Sequence, residues 1–302
     1  MKILRGSIVK KIKGIVLAMG VVLLLAACGN GKSNSSAAEG DLLKSLQDKG
    51  VVKVGFANEK PYAYEEDGEL KGGAVAIATA VFENLGIEKV DGHLSDFSQL
   101  IPGLGAEKFD VITAGMAITP DRCENVAFGE PEMQYGEGLI VKSGNPKDLR
   151  SYKDIAANPD IKVAVMSGAT EKDFMLREGI SEKQIMMVPD IPASFAAVES
   201  RRADATTGTE MTIKMALESA NKDKLEFVDN FEQPEIEGVP SYGAAAFRIA
   251  DDELREAYNA ELKKLKEDGK IAELIEPYGF TEELNVVDLD LTTESICNGD
   301  NY

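Results

Sequence analysis

Four side chains in this sequence could together bind a small molecule that carries one positive and one negative charge. Glu59 and Tyr62 lie three residues apart in "ANEKPYAYEEDGELKGG", residues 57–73, so an acid stands beside aromatic rings. Arg122 lies in "AGMAITPDR", and Thr170 lies in "MSGATEKD". A carboxylate and aromatic faces attract a cation, whereas an arginine binds a carboxylate through two parallel hydrogen bonds. The plainer interpretation of 57–73 is a strand, a turn and a strand.

The stretch around Arg122 predicts a strand that runs directly into a helix. "DVITAGM", which contains Gly115, is short and apolar, as a buried strand is. In "TPDRCENV", Thr119 is the expected N-cap and Pro120 the first helical residue. Backbone N–H groups at such a junction help an arginine to bind an anion. The alternative interpretation is an arginine on the protein surface.

Thr170 is predicted to lie at or near the start of another helix. Gly168 relieves the turn before it, and the threonine hydroxyl is either a helix cap or a ligand contact. The two interpretations are compatible, because a helix N-terminus also attracts an anion. A carboxylate held by both Arg122 and Thr170 would connect two distant parts of the chain.

Short apolar runs alternate with amphipathic patterns along most of the chain, which predicts an α/β fold with mainly parallel sheets. In the first part, strands are expected over 51–58 and 110–116, with a helix over 73–86. A second set of elements begins near residue 150. Its strands are predicted over 161–168, 184–190 and 203–209, and its helices over 169–179, 191–202 and 210–220. The sequence therefore predicts two α/β lobes.

Two breaks separate the lobes. "VKSGNPKDL", residues 141–149, and "EIEGVPSYGAAAF", residues 235–247, contain glycine and proline and favour turns. After the second break, a strand and helices follow without a sheet of their own, so the chain is expected to return to the first lobe. We predict lobe 1 over 41–143 and 241–302 and lobe 2 over 144–240, with two hinge crossings. A ligand site would lie between the lobes, at the carboxyl ends of strands.

The first 28 residues have the pattern of an export signal. "MKILRGSIVKKIKG" carries five basic residues and precedes the apolar run "IVLAMGVVLLLAA". The next residues, "LAACGN", resemble the lipobox of bacterial lipoproteins, which implies acylation of Cys28. We predict a signal peptide over 1–27, a lipid-anchored tether over 28–40 and an extracytoplasmic protein anchored to the cell membrane. The alternative is an uncleaved membrane helix, for which the apolar run is short.

The charge of the chain argues against several classes of partner. The chain has 33 basic and 52 acidic residues, and without residues 1–27 it keeps 28 basic residues, a net charge of −24. Nucleic acid and anionic membrane surfaces both require a cationic face, so neither is expected as a partner.

A single histidine, His93, and the lack of a cysteine pair at ligand spacing argue against a zinc site. We expect neither a metal nor a cofactor.

Two cysteines remain once Cys28 is assigned to the lipid. Disulfides persist in the compartments of exported proteins, so we predict a bond between Cys123 and Cys297. In the loop-closure model, a bond across so long a loop stabilises the fold by about 4 kcal/mol or more. Two buried free thiols are the alternative. A catalytic thiol is disfavoured, because no histidine lies near Cys123 in the sequence.

From "VVKVGFANEKPYAY" to "IEPYGFTEE", the sequence resembles family 3 of the solute-binding proteins of ABC importers, which includes receptors for polar amino acids. The motifs that carry the resemblance are "GGAVAIA", "LIPGLGAEKFD", "ITPDR" and, in the second lobe, "GAT". It implies a two-lobed, periplasmic-binding-protein-like (type II) clamp that catalyses no reaction. It also implies a small zwitterionic ligand and an ABC permease as partners, and we expect a monomer.

One position departs from the amino-acid receptors of this family. In those proteins an aspartate of the second lobe binds the α-ammonium group, and its position here falls on Thr209, in "RADATTGTE". Without that carboxylate, an ammonium ligand would lose its strongest partner. Glu210 is the next residue, but it stands at the start of a predicted helix and is expected to point elsewhere.

Within the family, the sequence resembles most the ectoine- and hydroxyectoine-binding proteins. The resemblance rests on "FANEKP", "IPGL", "AGMAITPDRC", "NPKDLRSYKDIAANPD", "EPYGFT" and a late cysteine that matches Cys297. It implies that Glu59 pairs with the planar amidinium of ectoine and that Tyr62 and Phe97 stack on the ring. Each such cation–π contact contributes about 0.5 to 2 kcal/mol. Where similar ectoine receptors carry a third aromatic residue, this chain has Ala117.

Four functions follow as hypotheses. The first is a lipid-anchored receptor that delivers ectoine or hydroxyectoine to an importer. The second is a receptor of the same class for a polar amino acid or another compatible solute, which Ala117 favours and Thr209 opposes. The third is a cleft enzyme, such as a dehydratase of cyclic carboxylates, with Glu59 as general acid. The fourth is a signalling or adhesion lipoprotein that uses the clamp as a sensor.

Overall fold

The computed structural model of the protein describes residues 42–300. The predicted signal peptide, the lipid attachment at Cys28 and the tether lie outside these residues. Between residues 42 and 300, no helix combines the length and the apolar character needed to cross a membrane.

The first part of the described chain supplies five strands of a six-stranded sheet and a separate hairpin. Its elements are α1 (Leu42–Lys49), β1 (Val51–Phe56), β2 (Tyr64–Glu66), β3 (Glu69–Lys71), α2 (Gly73–Asn84), β4 (Lys89–Leu94), α3 (Leu100–Gly105), β5 (Val111–Ala117), α4 (Pro120–Cys123), β6 (Ala127–Phe128) and β7 (Met133–Tyr135). The predicted strands and helix of this part are confirmed as β1, β5 and α2. Strands β2 and β3 pair antiparallel, so residues 64–71 do form a hairpin.

The middle of the chain builds a five-stranded sheet. Its elements are β8 (Glu137–Lys142), α5 (Tyr152–Ala157), β9 (Val163–Met166), α6 (Glu171–Arg177), β10 (Ile185–Val188), α7 (Ile191–Glu199), β11 (Ala205–Thr209), α8 (Glu210–Ser219) and β12 (Leu225–Phe227). The three strands and three helices predicted here are confirmed as β9 to β11 and α6 to α8, with shorter bounds.

The last part of the chain returns to the first sheet. Its elements are β13 (Ser241–Phe247), α9 (Asp252–Glu267), α10 (Lys270–Ile275), α11 (Glu282–Asn285) and α12 (Thr293–Cys297). Strand β13 pairs antiparallel with β5, β6 and β7, which confirms the predicted return. The sheets are therefore mixed, whereas the sequence predicted mainly parallel ones.

The two sheets share one strand pattern. The first has the order β4-β1-β5-β13-β6, with β1 parallel to β4 and β5. The second has the order β10-β9-β11-β8-β12, with β9 parallel to β10 and β11. In each sheet an antiparallel strand follows the three parallel ones. This strand is β13, which pairs with β5, in the first sheet and β8, which pairs with β11, in the second. The parallel strands of each sheet thus end at one common edge, where α/β proteins place their ligand sites.

The sheets correct one predicted boundary. The sequence placed residues 137–142 in lobe 1, because the glycine and proline signal at 141–149 follows them. These residues form β8, which pairs with β11 and β12 in the five-stranded sheet. The chain therefore leaves the six-stranded sheet at Gly136, between β7 and β8.

Helix α9 shows how the amphipathic pattern builds the first lobe. Leu254, Tyr258 and Leu262 recur every four residues, so they lie on one face of the helix, and all three are buried. That face packs on α2, where the ring of Phe82 lies 5.3 Å from the ring of Tyr258 between centroids. Removal of such fully buried aromatic rings typically costs about 3 to 5 kcal/mol.

A disulfide bond joins Cys123, the last residue of α4, to Cys297, the last residue of α12. The S–S distance is 2.00 Å and the two cysteines are 174 residues apart. The predicted pair is thus present, and the alternative of two free thiols is wrong. Because Arg122 directly precedes Cys123, the bond also restrains the short helix that carries this arginine.

We expect replacement of both cysteines by serine to lower the free energy of unfolding by about 2 to 5 kcal/mol, since the unfolded chain regains the freedom of a long loop. Urea unfolding followed by circular dichroism measures this change, because the sequence has no tryptophan to report it. An unchanged unfolding midpoint would contradict a stabilising role for the bond.

Candidate functional site

A cavity of about 30 Å³ lies between the two sheets, where the parallel strands end. Its lining includes all eight residues that the sequence predicted for ligand binding: Glu59, Tyr62, Phe97, Gly115, Ala117, Arg122, Thr170 and Thr209. They come from the ends of β1, β4 and β5 in the first sheet and of β9 and β11 in the second. Separate loops of both sheets thus converge on one small space.

The loop after β1 places Glu59 and Tyr62 together. Its backbone forms a tight turn, because Tyr62 N and Ala63 N both donate to Glu59 O and Glu59 N donates to Ala63 O. The start of α2 then anchors this turn, since Ala74 N donates to Tyr62 O. The hairpin β2–β3 follows directly. The stretch 57–73 is therefore both a hairpin and one side of the cavity.

Glycine is required where α2 meets this turn. Gly72 has a φ of +130°, and a Cβ atom on it would lie 2.2 Å from Tyr62 O. The close approach of backbone to backbone leaves no room for a side chain. Gly115, in β5, has a φ of +61°, and a Cβ there would lie 2.5 Å from the Tyr62 ring. Tyr62 can face the cavity because Gly115 carries no side chain.

Aromatic neighbours hold the Tyr62 ring in place. Its centroid lies 5.2 Å from that of Tyr135, edge to face, and 5.1 Å from that of Phe280. Tyr135 is held in turn, because its hydroxyl donates to Gly115 O at 2.6 Å. The Tyr62 hydroxyl is buried and has no hydrogen-bond partner within residues 42–300. A rigid ring with an unpaired hydroxyl is suited to a ligand that brings a polar group.

Arg122 is positioned by the predicted strand-to-helix junction. Thr119 caps α4, because its Oγ1 accepts from Arg122 N at 3.2 Å, and Pro120 begins the helix. The guanidinium donates from Nη1 to Ala117 O at 2.7 Å and from Nη2 to Gly168 O at 2.9 Å. It therefore connects the end of β5 with the loop after β9, one in each sheet.

Phe97 and Ala117 complete the side of the cavity near Arg122. The ring of Phe97 lies 5.5 Å from the guanidinium carbon, a distance at which a cation–π contact forms. Ala117 is buried and is the residue whose carbonyl accepts from Arg122. An aromatic side chain at position 117 would enter the cavity, so the alanine leaves space there.

The second sheet contributes the loop after β9 and the end of β11. Thr170 precedes α6, but its side chain makes no capping hydrogen bond, so the interpretation of its hydroxyl as only a cap is wrong. Gly168 has a φ of +86°, and a Cβ on it would lie 2.9 Å from Ser98 Cα of the first lobe. Thr209, at the end of β11, is half-buried and faces the same cavity.

Sequence reasoning missed five residues of the lining: Ala114, Tyr135, Met166, Ala169 and Glu171. Glu171 matters most, because it is an acid that is only 4% exposed. It directly follows Thr170, so the position was next to a predicted site residue. Its local sequence read as an ordinary acidic first turn of a helix, which is a common solvent-facing pattern.

Burial shapes the electrostatics of the site. Burial, together with the nearby charge of Glu171, raises the pKa of Glu59 from 4.5 to about 8, although Arg122 opposes the shift. Burial also raises the pKa of Glu171, and it raises that of Glu137, on β8, well above its ordinary value. Burial thus favours the protonated form of these carboxyl groups, whereas a cation in the cavity would favour the ionised form.

The site offers no recognisable metal centre. Between residues 42 and 300, histidine, cysteine and acidic side chains form no group of three or more that could hold a metal ion. Two larger clefts, of about 460 and 330 Å³, border the cavity, and Glu59 lines all three spaces. Glu59 is thus shared by the small cavity and both clefts.

Comparison with known proteins identifies the family. The sequence model of the bacterial extracellular solute-binding proteins, family 3, matches residues 52–282. The chain belongs to this family. Members of family 3 are extracytoplasmic receptors, so this chain is a solute-binding protein of an ABC transporter with the two-lobed type II fold of the family.

Three known proteins show how widely this similarity extends. A probable amino-acid ABC transporter periplasmic-binding protein of Sinorhizobium fredii is 35% identical over 262 residues, which cover 85% of this chain and 86% of that protein. The crystal structure of EhuB in complex with hydroxyectoine is 36% identical, with a TM-score of 0.77 over 85% of this chain and 98% of that one. An ancestral amino acid-binding protein, a precursor of cyclohexadienyl dehydratase, is 29% identical, with a TM-score of 0.66 over 78% and 98% of the two chains. All three are similar to this family 3 protein over more than three quarters of its length.

Raised carboxyl pKa values make stability depend on pH. Burial raises the pKa of Glu132 to about 7 and that of Glu59 to about 8, both from 4.5. Between pH 4.5 and 8 the folded protein then binds more protons than the unfolded chain. We expect the free energy of unfolding to fall as pH rises from 5 to 8, with a slope of up to about 1.4 kcal/mol per pH unit for each such group.

Urea unfolding at pH 5 and pH 8 tests this dependence in the ligand-free protein. Glu132→Gln should reduce the fall, because the amide oxygen can still accept from the Tyr258 hydroxyl but the group no longer titrates. Glu65→Gln, at an exposed position on β2, is the matched control. A free energy of unfolding that stays constant or rises between the two pH values would contradict the expectation.

Proposed function

We propose that this family 3 protein binds ectoine or hydroxyectoine in the cavity between its sheets and delivers it to an ABC permease, without catalysing a reaction. One observation carries the proposal: Arg122 and Glu59 line a single small cavity together with the rings of Tyr62 and Phe97. Ectoine is a zwitterion with a carboxylate and a planar cyclic amidinium. It therefore offers an anion to the arginine, a cation to the glutamate and a flat ring to the aromatic faces.

The carboxylate end of the ligand would bind Arg122. The guanidinium is a planar fork that matches a carboxylate with two parallel hydrogen bonds, a geometry that lysine cannot reproduce. Its contacts with Ala117 O and Gly168 O hold the plane of the fork before a ligand arrives. Binding then requires little further ordering of a long side chain.

The amidinium end would lie near Glu59. A neutral, protonated Glu59 attracts a cation weakly, and its pKa of about 8 means that much of it is protonated at pH 7. A cation nearby favours the ionised form and lowers this pKa. Ligand binding is thus coupled to loss of a proton, and the affinity should rise with pH up to about 8.

A polar amino acid is the second candidate ligand. Ala117 supports it, because the missing aromatic ring leaves room beside Arg122 for a larger ligand. The relative from Sinorhizobium fredii, a probable amino-acid receptor, supports it as well. Thr209 opposes it, since this position brings no carboxylate for an α-ammonium group. An enzyme remains the least supported candidate, and conversion of the ligand on incubation with the protein would establish it.

The proposal includes attachment to the membrane. The lipobox "LAACGN" supports cleavage before Cys28 and acylation of this cysteine. The polar stretch 28–40 would then act as a flexible tether that holds the receptor near its permease. Mass spectrometry of the protein isolated from membranes would detect the diacylglyceryl group on Cys28.

We expect the purified protein to bind ectoine with micromolar or tighter affinity in titration calorimetry. Arg122→Ala should abolish detectable binding, because the carboxylate loses its bidentate partner, and Glu59→Gln should weaken binding about tenfold or more. Arg150→Ala and Glu65→Gln, both at exposed positions, are the matched controls. Near-normal ectoine binding by both site variants would refute the assignment of the site.

Ala117→Phe tests whether the missing ring limits the affinity for ectoine. A phenyl ring at this position would add one aromatic face, so we expect the dissociation constant for ectoine to fall by about threefold to thirtyfold. The same titration with glutamine should show weaker binding than in the parent protein, because the added ring fills space. Weaker binding of ectoine by the variant would show that Ala117 provides room the ligand needs.

Gly168→Ala tests whether the ligand binds to the closed arrangement of the lobes. Gly168 and Gly179 have φ values of +86° and +90°, so alanine at either position should cost about 1 to 2 kcal/mol of stability. Only at Gly168 would the new Cβ meet the other lobe; near Gly179 the closest atom is Ala156 Cβ at 3.8 Å. Ectoine affinity should fall at least about tenfold in Gly168→Ala and stay unchanged in Gly179→Ala. Equal affinities would contradict closure around the ligand.

A further inference from the structure

A side-chain amide holds the first crossing between the lobes, where the chain passes from β7 to β8 at Gly136. The amide belongs to Gln233, on the stretch that returns from β12 to β13. Its Nε2 donates to Glu137 O at 2.7 Å, and its Oε1 accepts from Glu137 N at 2.8 Å. The neighbouring Glu232 N donates to Arg150 O at 2.7 Å, which anchors this stretch to the second lobe.

The amide takes the place of a strand beside β8. On one side, β11 pairs with β8 as far as Glu137. On the other side, the pairing with β12 stops at Ile140, and one further bond joins Val228 N to Leu139 O. Strand β12 therefore leaves Glu137 without a strand neighbour on this side. Gln233 supplies the donor and the acceptor that a strand would have offered.

The approach of this amide requires a glycine at the crossing. A Cβ on Gly136 would lie 2.8 Å from Gln233 Oε1. The backbone of Gly136 lies outside the left-handed region, so alanine is disfavoured by this contact and not by the backbone conformation. Gly136 O also accepts from Glu210 N at 3.0 Å, which connects the start of α8 to the crossing.

A second amide holds the other side of the same crossing. Asn285, in α11, donates from Nδ2 to Gln134 O at 3.0 Å. The next residue, Tyr135, pairs with Ser241 of β13 in the first sheet. Gly136 alone therefore separates a residue that is fixed to the first lobe from a residue that is fixed to the second.

The crossing connects two walls of the cavity. Tyr135, just before Gly136, lines the cavity from the first lobe. Glu137, just after it, lies opposite Thr209 in the pairing of β8 with β11, and Thr209 lines the cavity from the second lobe. A change in the direction of β8 at Glu137 would therefore move one wall relative to the other.

We infer that Gln233 is a positioning residue for solute binding: its amide fixes the direction in which β8 leaves the crossing, and thereby the spacing of the cavity walls. Gln233 is exposed, so without its amide water would reach the Glu137 backbone. The crossing would then gain freedom that closure around a solute must remove again. This inference rests on the proposed function only for the choice of ectoine as the solute.

A double-mutant cycle on the full-length protein tests this inference by titration calorimetry with ectoine. The variants are Gln233→Ala, Gly136→Ala and the two changes combined. Gln47→Ala is the matched control, because Gln47 is also exposed and donates to a backbone carbonyl, Leu85 O at 2.8 Å, within the first lobe. Hydrogen exchange followed by mass spectrometry measures the protection of the Glu137 N–H group in the same proteins without ligand.

We expect Gln233→Ala to weaken ectoine binding about threefold to tenfold and to speed the exchange of the Glu137 N–H group. Gln47→Ala should change neither. Gly136→Ala should have a similar effect to Gln233→Ala, because its Cβ displaces the amide. The combined variant should bind about as tightly as either single variant, since both changes break the same pair of hydrogen bonds.

Wild-type affinity for ectoine in Gln233→Ala would overturn the inference. A merely structural role of Gln233 gives this result, because it would lower the melting temperature without changing the affinity. Independent effects would overturn the inference as well. In that case the loss of affinity in the combined variant would equal the product of the losses in Gln233→Ala and Gly136→Ala.

The failure of the ectoine proposal is distinguishable from the failure of this inference. If the parent protein binds glutamine or arginine but no ectoine, the proposed ligand is wrong, and the same cycle is then measured with that amino acid. Equal, non-additive losses of affinity would still support the positioning role of Gln233. Unchanged affinity for the amino acid in Gln233→Ala would refute it.

Discussion

Arg122 donates one hydrogen bond to Ala117 O at the end of β5 and another to Gly168 O in the loop after β9. These two carbonyl groups belong to different sheets, so a single guanidinium joins the lobes at the place where their parallel strands end. The surrounding structure holds Arg122 in place, because Thr119 caps the short helix α4 and the disulfide at Cys123 restrains the end of that helix. A ligand carboxylate that binds the same fork would meet both lobes at once.

The rest of the cavity is dominated by buried acids and aromatic rings. Glu59 and Glu171 face the cavity from opposite lobes, and burial holds both pKa values above the ordinary value. Tyr62 is fixed by Tyr135 and Phe280, and its position depends on the absence of a side chain at Gly115. Such a site is preorganised, because rigid rings and buried carboxyl groups need little rearrangement when a ligand binds.

Much of this arrangement could be predicted from the sequence. Alternating apolar and amphipathic runs identified the central strands and helices of both lobes. Residue types at predicted strand-to-helix junctions, together with motif resemblance, identified eight site residues, and all eight line the cavity. The position of β8 could not be predicted, because its apolar pattern fits either sheet and only tertiary pairing decides between them. Glu171 was missed for a similar reason: an acid in a first helical turn is usually solvated, and only the approach of β11 buries it.

A crystal structure of the protein with bound ectoine would test the charge arrangement most directly. We expect the ligand carboxylate to accept two hydrogen bonds from Arg122 at about 2.7 to 2.9 Å, with the ring against Tyr62 and Phe97. The amidinium nitrogens should lie within hydrogen-bond distance of Glu59. The account would be contradicted if the ectoine carboxylate lay away from Arg122, or if ectoine bound outside the cavity between the sheets. In either case, opposite charges of the site would not bind the two ends of the zwitterion.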